Sequence, residues 1–524
     1  MGQLTLTAGA PCRPNSPPPG VFENRALEIG LLLSHPETYP DGQPTFDQGG
    51  IAIGDFDEDG ILDIYATDAL SPDRLYLSVD GRIESYIEVP IDPVVPRPQS
   101  VVSGDLNNDS HLDLIVIGIG YQILLGDGTG QFSPAASNVA EVLAPLGPFG
   151  TLSLADMDGD GWLDIAGVNG DETSETRLIT EGAVDMLLAG GPDLQFTSVP
   201  LPQSNPRGVG CLPGWFDYDD DGDQDLYIVN DFGLTIFGNR LLENQGDRTF
   251  VDRSEETGAG IRVAGMGGTF GDYDNDGLVD IYTTSMLSDT TNKLLAGRNT
   301  RQESDVQRNY EDVTKVANAY ALTEDHGVGW GALFLDVDAD SDLDLYVVRA
   351  FEPLILDPFI APGVLLDHPD ALLLNIDGRY EPAGDAAGMN DSAVTQAPLQ
   401  ADLNRDGFVD IVVSTIYGRP LVWINGCDET STWMTVRVAS SDSNAYGIGA
   451  KVTITTNGVT QVREIRSGGE GAGGSGAAEA YFGLGGETAV DSLEVRWPDG
   501  TVQRFEDVPA RYVVTVHRPP PGDM

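Results

Sequence analysis

The chain has 524 residues, with 83 acidic against 28 basic side chains and a formal charge of −55, a balance that excludes nucleic acid and anionic membranes as partners. Three cysteines are too few for a disulfide-built scaffold, no stretch approaches a membrane span, and residues 1–10 lack the basic and apolar regions of a signal peptide. Length alone suggests three or four domains, a prior that internal repeats can override.

In chain order, residues 1–20, proline-rich from residue 8, read as a flexible tether. Residues 21–34 hold a strand-like piece with no repeat of its own. Then a nonapeptide of one design begins, Asp55-Phe56-Asp57-Glu58-Asp59-Gly60-Ile61-Leu62-Asp63, and it returns from Asp105, Asp156, Asp217, Asp272, Asp336 and Asp402. The starts are 50 to 66 residues apart, a period of blades, solenoids or arrays. An apolar, β-prone run follows each loop, as in Asp113-Leu114-Ile115-Val116-Ile117, and a Gly/Ala-rich run such as Gly265–Gly271 precedes it. A third run (Leu75–Ser78, Arg240–Asn244, Pro420–Asn425) and in most repeats a fourth (Thr249–Asp252, Tyr310–Thr314) complete four strands per unit. The expected fold is all-β: a seven-bladed β-propeller over residues 21–428, its loops joining first and second strands. The seventh repeat stops after its third strand, so the piece at 21–34 is expected to supply the missing outer strand. Residues 429–518 alternate as antiparallel β and read as a small sandwich-like domain, with 519–524 a tail.

Loops this acidic need a cation, and oxygen donors at positions 1, 3, 5 and 9 with a carbonyl at 7 suit Ca²⁺. Position 1 is Asp55, Asp105, Asp156, Asp217, Asp272, Asp336 and Asp402; position 3 is Asp57, Asn107, Asp158, Asp219, Asp274, Asp338 and Asn404. Position 5 is Asp59, Asp109, Asp160, Asp221, Asp276, Asp340 and Asp406, and position 9 is Asp63, Asp113, Asp164, Asp225, Asp280, Asp344 and Asp410. Up to seven Ca²⁺ ions are therefore expected. The two asparagines remove a charge and should weaken their loops. Position 6, where the chain turns, is glycine except at Ser110 and Ser341, which makes loops two and six the least secure. An EF-hand is excluded because position 12 runs Ala66, Val116, Gly167, Ile228, Thr283, Val347, Val413, never the Glu that loop needs.

The repeat resembles the FG-GAP/VCBS repeat of integrin-α-type propellers, whose pattern is D-x-D-x-D-G-x-x-D before an apolar strand. Residues 433–516 resemble the ASPIC/UnbV domain through Asn444–Ala450, Arg463–Gly468, Tyr481–Gly485 and Val495–Gly500. Together these are similar to the cartilage acidic protein group and its bacterial relatives, although the Cys-rich EGF-like module of vertebrate members is lacking. The resemblance implies a secreted or cell-surface scaffold.

Of the cysteines, a Cys12–Cys427 bridge or three separate thiols are both compatible with the sequence, the bridge leaving Cys211 buried beside the fourth blade. Five histidines form no constellation; His326 enters an inner strand, where the resemblance implies packing. G-x-S-x-G, H-E-x-x-H and P-loop patterns are missing. Trp162 and Trp215 flank loops; Trp330, Trp423, Trp433 and Trp497 lie in strands or turns, and core packing outweighs sugar stacking for most. Arg463, Arg466 and Arg496, the densest basic group, suit docking on the acidic ring or an acidic glycan. Long connections at Gly170–Asp185 and Ala350–Asp370 open on the face opposite the metal loops. The leading reading is a non-enzymatic, monomeric Ca²⁺-binding recognition or adhesion platform for an extracellular protein or glycan. The rival is a polysaccharide lyase or hydrolase using the opposite face.

Overall fold

The computed structural model describes residues 3–13, 15–29, 31, 49–68, 72–79, 82–91, 95–148, 150–169, 182–204, 206–285, 292–302, 305–320, 328–350, 369–384, 386–391, 393–416, 419–469 and 473–519. The expectations at His326, and most of the two long connections, lie outside the described residues. What is described is almost entirely β, with two single-turn helices, Val139–Val142 and Ser254–Thr257.

Each Asp-rich loop joins the first two strands of an antiparallel sheet whose strands follow one another in space. Ile51–Gly54 and Asp63–Ala66 begin the first; Ser100–Gly104 and Asp113–Gly118 the second; Thr151–Ala155 and Asp164–Val168 the third; Val209–Phe216 and Asp225–Asp231 the fourth. Gly268–Gly271 and Asp280–Thr283, Val328–Leu335 and Asp344–Ala350, and Thr395–Ala401 and Asp410–Thr415 begin the fifth, sixth and seventh. The seventh sheet gains its outer strand from far upstream: Phe22–Asn24 pairs with Leu421–Asn425, Phe22 opposite Asn425.

These strands are apolar on both faces because each sheet is sandwiched. Phe216 and Phe270, from the fourth and fifth sheets, stack with centroids 4.8 Å apart. Tyr282 and Phe334 meet edge-on between the fifth and sixth. Ile51, Ile53 and Ile64 of the first sheet pack with Leu399, Val412 and Ile424 of the seventh, so the packing order returns to its start.

The strands beyond residue 428, joined by Gln3–Ala8, form two four-stranded sheets that face each other. Gln3–Ala8, Tyr512–His517, Trp433–Ala439 and Ala480–Gly483 form one, in that order; Val459–Glu464, Lys451–Thr456, Ala489–Arg496 and Val502–Pro509 form the other. Met434, Val436, Phe482, Val495, Trp497 and Val514 fill the space between them.

The tether expectation for residues 1–20 is corrected here. Gln3–Ala8 pairs antiparallel with Tyr512–His517 throughout its length. The proline segment is then pinned against the seventh sheet: Cys12 is bonded to Cys427, their Cα atoms 5.7 Å apart, and Gly20 N donates to Asn425 Oδ1 at 2.9 Å. Prolines stiffen an arm already anchored at both ends. Cys211, expected to be buried, is half-buried at a register break in the fourth sheet.

Candidate metal centres

All seven loops fold alike. Position 4 and position 6 both take the left-handed conformation: Asn275 and Gly277, for example, have φ of 56° and 85°. Ser110 and Ser341 adopt it too, at φ 73° and 89°, so their loops turn as the glycine loops do at some steric cost. Within the turn the carboxylates catch backbone N–H groups. Gly60 N donates to Asp55 Oδ2 at 2.9 Å and Ile61 N to Asp59 Oδ1 at 2.8 Å; Gly277 N and Leu278 N do the same to Asp272 and Asp276.

Position 9 has a different duty from the other acids. In every loop one of its oxygens accepts from the N–H of position 2 and the other from the third strand of the same sheet. Asp63 receives Phe56 N (2.9 Å) and Ser78 N (2.8 Å); Asp225 receives Tyr218 N (2.9 Å) and Asn244 N (2.8 Å). Asp113, Asp164, Asp280, Asp344 and Asp410 repeat the pattern. These side chains are buried and tie hairpin to third strand whatever else they bind. Burial outweighs the hydrogen bonds, so Asp63 and Asp113 are pushed up to about 7, and Asp164, Asp225, Asp280, Asp344 and Asp410 well above the usual carboxylate range.

Five loops bring three carboxylates together with ligand oxygens within 4.8 Å of one another: Asp55/Asp57/Asp63, Asp156/Asp158/Asp164, Asp217/Asp219/Asp225, Asp272/Asp274/Asp276 and Asp336/Asp338/Asp344. The sixth, doubted for Ser341, is among them. Position 5 joins such a group only in loop five, although Asp276, like Asp59, Asp160, Asp221 and Asp340, turns an oxygen to the N–H of position 7. Loops two and seven, with Asn107 and Asn404 at position 3, gather no three acids.

Do these residues fit a cation? Buried carboxylate oxygens without a hydrogen-bond partner remain on Asp55, Asp217, Asp274, Asp338, Asp402 and Asp406, and Asp217 and Asp402 are 2% and 5% exposed. Desolvation raises Asp217 and Asp272 to about 7 and Asp336 to about 8. Buried acids with orphaned oxygens call for a hard, oxygen-seeking ion, and the donor set suits one. Loops two and three leave no such orphan; in loop two Asp109 N and Ser110 N each donate to an oxygen of Asp105 at 3.0 Å, and Asn107 Nδ2 donates to Asp109 Oδ2 at 2.8 Å. In loop three Arg248 pairs with Asp158 and, at 3.0 Å, Asp160; in loop five Arg298 pairs with Asp274 and Asp276 at 3.1 and 2.9 Å.

Two features escaped the sequence reading. A tyrosine two residues after position 9 bonds the residue that opens the third strand: Tyr65 to Asp73 (2.6 Å), Tyr227 with Asn239 (3.2 Å), Tyr282 with Asn292 (2.8 Å) and Tyr346 to Asp370 (2.5 Å). The signal was present as Asp or Asn two residues before a leucine that recurs between repeats, in Asp73-Arg74-Leu75 and Asn239-Arg240-Leu241. The second is Arg240, 1% exposed in its side chain and ion-paired at 3.0 Å with both Asp185 and Asp252. Among the tryptophans, Trp215, Trp423, Trp433 and Trp497 are core residues, while Trp162 and Trp330 are half-buried. His111 pairs with Glu58 (2.5 Å) and His517 with Thr5 (2.9 Å), each singly.

Two family models match parts of the chain. The model described as "FG-GAP-like repeat" matches residues 44–116 and 217–283, and that described as "ASPIC and UnbV" matches residues 440–521. Cartilage acidic protein 1 of Xenopus tropicalis is 27% identical over 288 residues, covering 52% of this chain and 41% of the relative; the Homo sapiens protein is 26% identical over 282 residues, covering 53% and 39%. The chain thus spans about two fifths of the relatives it matches. Among solved structures, a complex of BBS1N with ARL6DN aligns with 80% of this chain and 96% of that one at a TM-score of 0.39 and 8% identity.

Proposed function

We propose that this chain, which carries FG-GAP-like repeats and an ASPIC/UnbV domain, is an extracellular, calcium-binding seven-bladed β-propeller that serves as a rigid recognition or adhesion scaffold. The observation that carries the reading is the set of orphaned, buried carboxylate oxygens at the loop ends of the sheets. Calcium would be held by positions 1, 3, 5 and 9, with loop two the weakest. Its role is structural: it neutralises clustered acids and links folding to the metal. Extracellular fluid, where calcium is abundant, suits small loop sites of weak affinity, and similarity to cartilage acidic protein 1 points the same way. Among the described residues no helix is long and apolar enough to cross a membrane.

A scaffold reading is supported by the uniform use of the acids: position 9 ties hairpin to third strand in every loop, and the acids left over gather where a structural cation would sit. The ligand would be an extracellular protein or glycan, met on the end of the sheets away from the loops. A glycan array run beside a polysaccharide-depolymerisation screen tests this: binding without product supports the scaffold, and released oligosaccharide from any polymer replaces it with the enzyme reading.

A further inference from the structure

The C-terminal domain sits on the loops themselves. Arg437 Nη1 donates to Gly60 O (3.5 Å) in loop one, and Asn444 N donates to Asn108 Oδ1 (2.9 Å) in loop two. Ser443 lies against Gly161 of loop three, leaving no room for a β-carbon there. Lys451 pairs with Asp220 and lies 3.7 Å from Asp217 in loop four. Arg466, beside loop five, donates to Phe270 O (2.7 Å) and to Trp215 O (3.1 Å). Gly483 N donates to Asp336 Oδ2 (3.1 Å) in loop six, and Trp433 packs on Gly407 in loop seven. From the same domain two short strands reach in among the first strands: Ser467–Gly468 pairs with Ser153 and Leu154, and Gly474–Ser475 pairs, in parallel, with Ile51 and Ala52.

Most of these contacts are made to a turn carbonyl, a left-handed turn residue or a position-1 carboxylate. These contacts match the wrapped shape of the loop, and repulsion among unneutralised acids works against that shape. A divalent ion still leaves a three- or four-acid loop negative, so Arg437 and Lys451 remain attracted to a filled loop. We propose that the C-terminal domain is the resident occupant of the loop face and that divalent cations in the loops lock it there, with Ser467–Gly468 and Gly474–Ser475 inserted as a plug. This rests on the reading of the loops as calcium sites. Linkage requires the converse: a docked domain tightens cation binding.

The test uses the full chain, with hydrogen exchange followed at Ser467–Gly468 and Gly474–Ser475 in excess calcium and after chelation, and bound calcium counted in both. Loss of ions should speed exchange in these segments by at least about fivefold relative to the buried strand Asp113–Gly118. Ions lost with exchange unchanged, or slowed, would overturn the lock while leaving the calcium reading intact; no ions bound at the outset would overturn both. Arg466→Met, which removes two docking bonds and no metal ligand, should weaken calcium affinity by about fivefold. Unaltered affinity in a folded variant whose plug exchanges faster contradicts the linkage.

Discussion

Replacing Asp63 with alanine should be more damaging than replacing its loop partner Asp57, and in a way that survives chelation. Asp63 accepts from Phe56 N at 2.9 Å and Ser78 N at 2.8 Å and is wholly buried. Removing it strands two buried N–H groups at roughly 1–3 kcal/mol each. Relief of a desolvated carboxylate, pushed up to about 7 by burial, offsets up to about 4 kcal/mol of this at pH 7, leaving a net loss of roughly 0–2 kcal/mol there and a larger one as pH falls towards 4. Asp57 holds only the N–H of Asp59, at 3.3 Å, and is half-exposed. Asp57→Ala should therefore cost about nothing without calcium and lose only the binding linkage when calcium is present. Urea unfolding in excess calcium and in chelator, with exchange at the Phe56 and Ser78 amides as the local readout, separates the two. Equal losses for both variants, or an Asp63→Ala deficit that disappears on chelation, would refute the assignment of position 9 as the tie between hairpin and third strand.

Chelation of the intact protein should lower its melting temperature by many degrees, and Asp221→Ala should lower it in calcium more than Asn107→Ala. Asp370, buried and bonded to Tyr346 and Thr395 (2.5 and 2.6 Å), is raised by desolvation to about 6. Because its folded value lies above the unfolded one, its contribution is full below about pH 4 and lost as pH rises through 6. Asp370→Asn, which copies the asparagines found at positions 239 and 292, should thus gain up to about 3 kcal/mol on the parent at pH 7.5 and nothing at pH 4, read from unfolding midpoints at both. Breaking the Cys12–Cys427 bond, which closes a separation of 415 residues, should cost roughly 2–5 kcal/mol; intact-mass analysis should find one alkyl group per chain without reductant and three with it.

The loops and their flanking strands were legible because the acids recur in register and the runs after them are β-prone. Even the outer strand at Phe22–Asn24 followed from a missing fourth run in the last repeat. The Gln3–Ala8 strand was not foreseen, although its alternation is of period two, because its partner lies more than 500 residues away. Sequence named position 9 a ligand but could not show that both its oxygens are already engaged. That depends on where the third strand passes. Ser341 looked disqualifying by residue type, yet the surrounding hydrogen bonds to Asp336 and Gly483 O (2.9 and 3.2 Å) hold it in the left-handed conformation. Arg463 and Arg466 read as either dock or glycan contact; only the packed structure sets Arg466 against the fourth and fifth sheets.

Equilibrium dialysis against calcium, with elemental analysis of the retained protein, addresses the central claim without intermediaries. Five to seven ions per chain are predicted, matching the five convergent acid groups and the seven loops. Retention of less than one ion per chain under saturating calcium would contradict it.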